Sequence, residues 1–339
     1  MPPIYLDHAA TTPLLPAARE AMLEGFALWA NPSSPHKAGR AARAALEAAR
    51  GRVKVALGWQ GEVIFTSGAS EALAVAMTRA VQPIAAVSAV EHEAVLRWAG
   101  DAARLPVDGE GRVLTEGSLA GLVAVQQVNN ETGVIQPLDE SAEAVRAAGG
   151  LLLADCAQSA GKIALPAADM VAVSAHKFGG PIGVGALLVR DWAMLKPTGG
   201  QERGYRGGTE NLLGALAMAA ALEEPRDWLA AAARLRLRLD DGILAAGGEI
   251  VAQNAPRLPT IAGYRMPGRS ANAQLIRFDG IGIAVSAGSA CSSGSLKASP
   301  VLTAMGYPHA GEVIRVSIGR ETTESEIDAF LSAWREIRG

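Results

Sequence analysis

The sequence has few cysteines, a small net charge and no long apolar stretch, and each of these absences excludes a class of protein. The 2 cysteines, Cys156 and Cys291, are too few for a disulfide framework and fit a reducing compartment. With 31 basic and 34 acidic residues the net charge is −3, without the positive excess needed to coat nucleic acid or an anionic membrane. The longest mainly apolar stretch, 212–222, is too short to span a bilayer. The start at Met1 shows no basic stretch followed by an apolar one, so we expect no signal peptide and a cytoplasmic protein.

The pattern of apolar residues indicates an α/β fold. Because 49% of the chain is apolar and 19% is charged, intrinsic disorder is excluded, and the length favours two domains. Short β-branched runs alternate with helical patterns over the first two thirds. The predicted strands are 63–66, 85–88, 122–125, 151–154, 170–173 and 186–189. Several are apolar on both faces, which predicts a mainly parallel sheet covered by helices.

The domain division follows from a change of pattern near residue 225. Beyond it come a long helix, shorter strands, a Gly/Ser-rich loop at 287–295 and a last helix. We predict a large α/β domain at 14–227. A smaller α+β domain is predicted from 1–13 and 228–339, and it carries the Gly/Ser-rich loop.

Two charged residues follow predicted strands, where open α/β sheets place catalytic groups. Lys177 precedes a Gly-rich turn, and a lysine among apolar and cationic neighbours has a lowered pKa and can form a Schiff base. Asp155 ends a buried strand and needs a cationic partner, such as a pyridinium nitrogen. Taken singly, an exposed lysine and a loop-capping aspartate are the alternatives.

Three other features carry possible chemistry. The turn 67–71 joins a strand to a helix N-terminus, whose free amides and dipole favour a phosphate. His92 follows a strand, where it either caps a helix or stacks on a planar ring and transfers protons. Cys291 lies in the Gly/Ser-rich loop, where an accessible thiol suits a nucleophile unless it is incidental. Cys156 is interpreted as a packed small residue.

Together these motifs resemble the cysteine desulfurases that use pyridoxal 5′-phosphate (PLP), NifS/IscS-like members of the class V aminotransferase superfamily. The matching segments cover essentially the whole chain in order: 5–13, 31–36, 67–71, 91–92, 128–133, 155–158, 174–177, 203–209, 289–293 and 314–317. The resemblance implies a fold-type I PLP enzyme that converts L-cysteine to L-alanine and leaves the sulfur as a cysteine persulfide, for iron–sulfur cluster assembly or thiolation. The alternative is a selenocysteine lyase, or another class V aminotransferase or lyase of the same fold.

The resemblance also assigns roles to residues. Lys177 would hold the cofactor and move the substrate's Cα proton, and Cys291 would accept the sulfur. Arg315 would bind the substrate carboxylate with help from Asn130, and His92 would stack on the ring. The other cofactor-binding residues would be Ala69, Ser70, Asn130, Asp155, Gln158, Ser174, His176 and Thr209, of which Thr209 would reach in from the partner subunit of a homodimer.

The sequence departs from the family pattern at three places. Ser70 stands where threonine is more usual, and Cys156 stands where alanine is commoner. The chain ends at Gly339, without the longer tail that housekeeping members use for partner docking. We expect a sulfur-acceptor protein, either an iron–sulfur scaffold or a thiolation factor, and no metal site.

Overall fold

A seven-stranded sheet is the largest element of the computed structural model, which describes residues 3–117, 119–288 and 299–339. Its strands are β2 (Glu62–Thr66), β3 (Ile84–Ser88), β4 (Ala103–Leu105), β5 (Leu122–Gln126), β6 (Leu151–Asp155), β7 (Met170–Ser174) and β8 (Gly185–Val189). Their order is β2-β8-β7-β6-β5-β3-β4. β8 runs antiparallel to both of its neighbours, and the other pairs are parallel. The predicted mainly parallel sheet is therefore confirmed.

Helices cover both faces of this sheet, which is why its central strands are apolar throughout. They are α1 (Pro16–Gly25), α2 (Lys37–Leu57), α3 (Ala69–Arg79), α4 (Glu93–Leu96), α5 (Leu138–Ala147) and α6 (Leu212–Glu223). In β5, Val123 and Val125 pack in the core shared with α1, α2, α5 and α6, whereas Leu122 and Ala124 pack in the core shared with α3 and α4. Strand alternation thus divides the buried side chains between two layers.

A separate core lies around smaller sheets. β1 (Ile4–Tyr5) pairs with β11 (Ile283–Ala284), and β9 (Glu249–Ile250), β10 (Ile261–Arg265) and β12 (Val313–Ser317) form an antiparallel sheet. α7 (Trp228–Ala245), α8 (Ala271–Gly280), α9 (Pro300–Ala304) and α10 (Glu324–Arg338) are the helices of this half of the chain. Tyr264, Phe278, Phe330 and Trp334 are fully buried in the core. Because β1 packs here, this core supports the assignment of 1–13 and 228–339 to one domain, which remains our proposal.

The carboxyl edge of the large sheet positions the residues that carry chemistry. β2, β3, β5, β6 and β7 all end at this edge, and the antiparallel β8 begins there. Open α/β sheets bind ligands outside the carboxyl ends of their strands. Over the ranges 3–117, 119–288 and 299–339, no helix has both the length and the apolar character to cross a membrane.

Candidate active site

A cavity of about 400 Å³ lies at the carboxyl edge of the large sheet, and loops from five strands line it. It brings together 10 of the 12 predicted site residues: Ala69, Ser70, His92, Asn130, Asp155, Gln158, Ser174, His176, Lys177 and Arg315. Thr209 is exposed and is not part of its lining. Cys291 lies outside the described residues. Residues that are far apart in sequence therefore share one site of the size that holds a small ligand.

Lys177 lies just beyond β7, in the short 3₁₀ turn Ala175–Lys177. Its Nζ donates hydrogen bonds to the carbonyl oxygens of Ala9 and Ala10, at 2.7 and 2.8 Å. The amide of Thr12 donates to the carbonyl oxygen of His176 at 2.8 Å and holds the N-terminal segment against this turn. The N-terminal segment thus forms one wall of the cavity.

Asp155 is the last residue of β6 and is buried. Its Oδ1 accepts a hydrogen bond from the amide of Ala157 at 2.9 Å. Desolvation raises the pKa of this carboxyl, while the Ala157 hydrogen bond and the nearby His92 and Lys177 act to lower it. A buried carboxylate at the edge of a cavity is suited to a cationic ligand group.

His92 has both of the roles that its sequence position allowed. Its Nδ1 accepts from the amide of Ala94 at 3.1 Å, so it caps α4. Its side chain is also exposed on the cavity lining. Desolvation lowers the pKa of His92, and the charge of Lys177 lowers it further, while the charge of Asp155 acts to raise it. The neutral ring, with its proton on Nε2, can lie flat against a planar ligand.

The turn 67–71 brings the N-terminus of α3 to the cavity. A Cβ added to Gly185 would lie 2.6 Å from the Cα of Gly68 and 2.4 Å from the carbonyl oxygen of Val173, so only glycine lets β8 pass this close. The first amides of α3 have no helical acceptor and attract an anion. Glu71 Oε2 accepts from the amide of Ser67 at 2.5 Å and fixes the turn.

Ser174 and His176 add a hydroxyl and an imidazole on the side of the cavity formed after β7. The Nδ1 of His176 lies 3.2 Å from the Oγ1 of Thr11. Desolvation and the charges of Lys177 and Lys162 lower the pKa of His176 to about 4. At neutral pH this ring is uncharged and can donate to an anion without adding positive charge.

Arg315, on β12, brings a cation from the smaller sheet to the cavity. It is buried, and its Nη1 donates to the carbonyl oxygen of Asn130 at 3.0 Å. Its Nη2 pairs with the Oδ1 of Asp7 at 2.8 Å. Among the described residues its Nε has no hydrogen-bond acceptor. These contacts fix the planar guanidinium while leaving some of its five donors for a carboxylate.

Gln158 links the loop after β6 to the N-terminal segment, which forms one wall of the cavity. Its Nε2 donates at 2.9 Å to the carbonyl oxygen of Ala9, which also accepts from Lys177. A side-chain amide has two N–H donors, so one remains for a ligand oxygen.

The donor set fits PLP. A buried carboxylate suits the pyridinium nitrogen, a lysine amine suits the aldehyde, and a helix N-terminus with two hydroxyls and an imidazole suits the phosphate. The residues in these positions are Asp155, Lys177, Ala69, Ser70, Ser174 and His176. The cavity therefore contains complementary groups for each functional part of the cofactor.

The cysteines have contrasting positions. Cys156 is fully buried and its Sγ donates to the Oε1 of Gln127 at 3.3 Å, which confirms it as a packed residue. Burial raises the pKa of its thiol. On either side of the segment that carries Cys291, Ser286 pairs with the backbone of Arg315, and Ser299 donates to the Oε2 of Glu131 at 2.5 Å. The Ser286 flank thus lies next to the cavity residue Arg315, and the Ser299 flank contacts the residue that follows Asn130.

Three charged residues around the cavity were not predicted from the sequence. Asp7 fixes Arg315 across the two halves of the fold, and its signal was its place in the matching segment 5–13. Glu71 pairs with Arg206 at 3.1 Å, and its place in the first turn of α3 was the available signal. Glu91 is buried, accepts from the amide of Gln126 at 2.6 Å and has a pKa raised well above its usual value by desolvation and by Asp155.

Comparisons with known proteins agree with this geometry. The family described as Aminotransferase class-V matches residues 4–330. A cysteine desulfurase of Cereibacter sphaeroides is 38% identical over an alignment that covers 97% of this chain and 94% of that protein. The X-ray structure of a NifS-like protein from Rickettsia africae has a TM-score of 0.90 at 29% identity and covers 99% of both chains. A structure described as SspA in complex with cysteine has a TM-score of 0.80 at 27% identity and covers 94% of this chain and 100% of that one.

These names favour desulfurases over the alternative, a selenocysteine lyase or another class V enzyme. The match over nearly the whole length of both chains includes the large sheet, the smaller sheets and the cavity between them. The chain therefore belongs to the class-V aminotransferase family, among its cysteine desulfurases.

Proposed function

We propose that this chain is a PLP-dependent cysteine desulfurase that converts L-cysteine to L-alanine and transfers the sulfur to Cys291. The convergence of Lys177, Asp155 and Arg315 on one cavity carries this proposal. They provide an amine for covalent attachment, a counter-ion for a cationic ring and a receptor for a carboxylate. The relative solved in complex with cysteine supports the choice of substrate.

Different residues of the cavity would hold different parts of the cofactor. When bound, PLP supplies an electron sink that makes the Cα–H bond of the substrate acidic and activates its sulfur as a leaving group. Asp155 would balance the ring nitrogen, and His92 would stack on the ring. Gln158 and Asn130 would lie near the ring oxygen. The phosphate would bind to Ala69, Ser70, Ser174 and His176. Lys177 Nζ would accept the Cα proton and return it during turnover.

Arg315 would orient the substrate through its carboxylate. Because Asp7 and the carbonyl oxygen of Asn130 fix the guanidinium, its remaining N–H groups have a defined direction. A planar fork holds a carboxylate through two parallel hydrogen bonds, which a lysine does not provide. The amino acid would therefore be bound with its Cα near Lys177.

Cys291 would be the sulfur acceptor. Its thiolate attacks the sulfur of the bound substrate, so that an S–S bond forms while the C–S bond breaks and leaves its electron pair on carbon. Protonation of that carbon gives alanine, and Cys291 holds a persulfide. The flanks of its segment support this role, because Ser286 contacts the cavity residue Arg315. Ser299 contacts Glu131, which follows the cavity residue Asn130 in the chain. A free cysteine has a pKa near 8.5, so activation of the thiol is needed at neutral pH.

The proposal includes a homodimer in which Thr209 completes the phosphate site of the partner subunit. Thr209 is exposed and does not line its own cavity, while Arg206 of the same segment pairs with Glu71 in the turn 67–71. We further propose delivery of the persulfide sulfur to a protein acceptor, for iron–sulfur cluster assembly or thiolation. The low cysteine content, with Cys156 a free buried thiol, supports a cytoplasmic location.

Product analysis with two matched cysteine variants tests this function. The PLP-loaded chain should release alanine from L-cysteine and, with a reductant present, sulfide. Cys291→Ser should bind PLP normally and release no sulfide, whereas Cys156→Ser, at the packed thiol, should remain active. Amino transfer to a keto acid without sulfide release would identify an aminotransferase and contradict the proposal. Sulfide release by Cys291→Ser at the wild-type rate would contradict the role of Cys291.

A further inference from the structure

A second lysine, Lys162, is buried behind Lys177. It follows β6 by seven residues and has 8% of its surface exposed. Its Nζ donates to the carbonyl oxygen of Gln158 at 3.0 Å. Within the described parts of the chain, no carboxylate forms an ion pair with it. A buried ammonium without a carboxylate partner is costly, so its presence requires a reason.

A short chain of hydrogen bonds connects Lys162 to Lys177. Lys162 Nζ bonds to the backbone of Gln158, whose side-chain amide bonds to the carbonyl oxygen of Ala9 at 2.9 Å. The same oxygen accepts from Lys177 Nζ at 2.7 Å. The carbonyl oxygen of Ala9 thus accepts hydrogen bonds from both Lys177 and Gln158, and Gln158 in turn accepts one from Lys162.

The two lysines also line a common internal cavity of about 30 Å³, which has room for about one or two waters. His8 and Thr260 contribute to its wall, and His8 Nδ1 and Thr260 Oγ1 are buried without a hydrogen-bond partner among the described residues. The lining is therefore mixed, mostly apolar but with polar atoms of His8 and Thr260 in it. Charge on one lysine acts on the other across a small space, where it is screened less than in bulk water.

The titratable groups around Lys162 and Lys177 differ in their charge at neutral pH. Burial, assisted by the charge of Lys177, lowers the pKa of Lys162 to about 7. The pKa of His8 and that of His176 are each lowered to about 4, mainly by burial, so both rings are neutral at pH 7. Glu224 and Arg320 line the small cavity, and Asp155 and His92 face Lys177 from the larger one. Of these groups, Lys162 changes its charge near neutral pH.

We propose that Lys162 is a positioning residue for Lys177, and that the two side-chain nitrogens hold one positive charge between them. While Lys177 is bonded to the cofactor, Lys162 carries the charge and disfavours a proton on the Lys177 nitrogen. When Lys177 is not bonded to the cofactor and its amine takes up a proton, Lys162 releases its own. The inference rests on the proposed function, in which Lys177 binds PLP, and adds the residue that sets its protonation.

A pH titration of the PLP-loaded chain tests the inference without measuring turnover. The cofactor's absorbance near 400 nm depends on whether the Lys177 nitrogen is protonated, so its midpoint can be followed in the resting protein. Lys162→Met should move that midpoint up by about one pH unit, the effect of removing one nearby charge from a protein interior. Lys162→Gln, which retains a hydrogen-bond donor, should give the same shift if the Met variant folds poorly. Lys162→Arg should restore a midpoint close to wild type.

The controls separate an electrostatic role from a structural one. Lys196→Met makes the same substitution at an exposed lysine and should leave the midpoint unchanged. If Lys162 only supports the fold, its neutral variants will lower the melting temperature without moving the midpoint, and that result overturns the inference. Borohydride trapping and peptide mass spectrometry locate the cofactor in the wild type. A cofactor attached elsewhere than Lys177 overturns the proposed function, and this inference with it.

Discussion

Replacing Asp155 with asparagine should stabilise the cofactor-free chain and weaken the cofactor-bound one. Desolvation raises the pKa of the buried carboxyl above its usual value. An acid with a folded-state pKa above its unfolded value loses stability as pH rises from the unfolded pKa through the folded pKa. Ionised Asp155 therefore destabilises the cofactor-free fold at neutral pH. Asparagine keeps the oxygen that accepts from Ala157 at 2.9 Å and removes this charge.

The sign reverses once the cationic ring of the cofactor is present. Breaking a buried charge pair by removing one partner costs about 3–5 kcal/mol, which is roughly 100- to 5,000-fold in an equilibrium or rate constant. We expect losses of that order in alanine formation by Asp155→Asn, together with weaker retention of PLP. Asp155→Ala should lose as much activity, but it also loses the acceptor for Ala157 and lacks the stability gain.

Thermal unfolding with and without PLP separates the two effects. Without PLP, Asp155→Asn should unfold at or above the wild-type temperature, and added PLP should raise that temperature less than it does in the wild type. Asp139→Asn, at an exposed position in α5, is the control for the substitution itself. A clear fall in melting temperature without PLP, or alanine formation within about tenfold of wild type, would contradict the role assigned to Asp155.

Two further predictions concern the substrate and the partner subunit. Arg315→Lys keeps the positive charge but loses the two-pronged guanidinium, so the KM for L-cysteine should rise about 10- to 100-fold. The control Arg238→Lys, in an exposed ion pair, should leave the KM unchanged. An unchanged KM for Arg315→Lys would contradict the role assigned to Arg315. Thr209→Ala and Lys177→Ala chains should each have little activity alone, but mixed dimers should regain activity, because one site then has both residues intact. Failure of the mixed sample to regain activity would contradict the contribution of Thr209 from the partner.

Local sequence signals were sufficient to predict the large sheet. Apolar runs such as 122–125 and 170–173 form strands within one residue of their predicted ends, because two-sided burial selects continuous apolar segments. The antiparallel direction of β8 was not predicted. Residues 175–184 are all that separates it from β7. Parallel neighbours need a crossover of about a dozen residues or more, so this short connection could have predicted the antiparallel direction.

The site was predictable where its residues follow strands. Asp155 and Lys177 were recognised because strand ends on one edge converge. Asp7 and Lys162 were not, because their importance depends on contacts between distant segments. Asp7 pairs with a residue 308 positions away, and Lys162 acquires its environment only when the N-terminal segment closes against Lys177.

Peptide mass spectrometry after a single turnover shows whether Cys291 accepts the sulfur of L-cysteine. The PLP-loaded chain is mixed with one equivalent of L-cysteine, its thiols are alkylated, and the peptides that contain Cys156 and Cys291 are compared. We expect one additional sulfur atom on Cys291, none on Cys156, and one equivalent of alanine. Alanine formed without sulfur on Cys291, or with the sulfur on Cys156, would contradict this expectation.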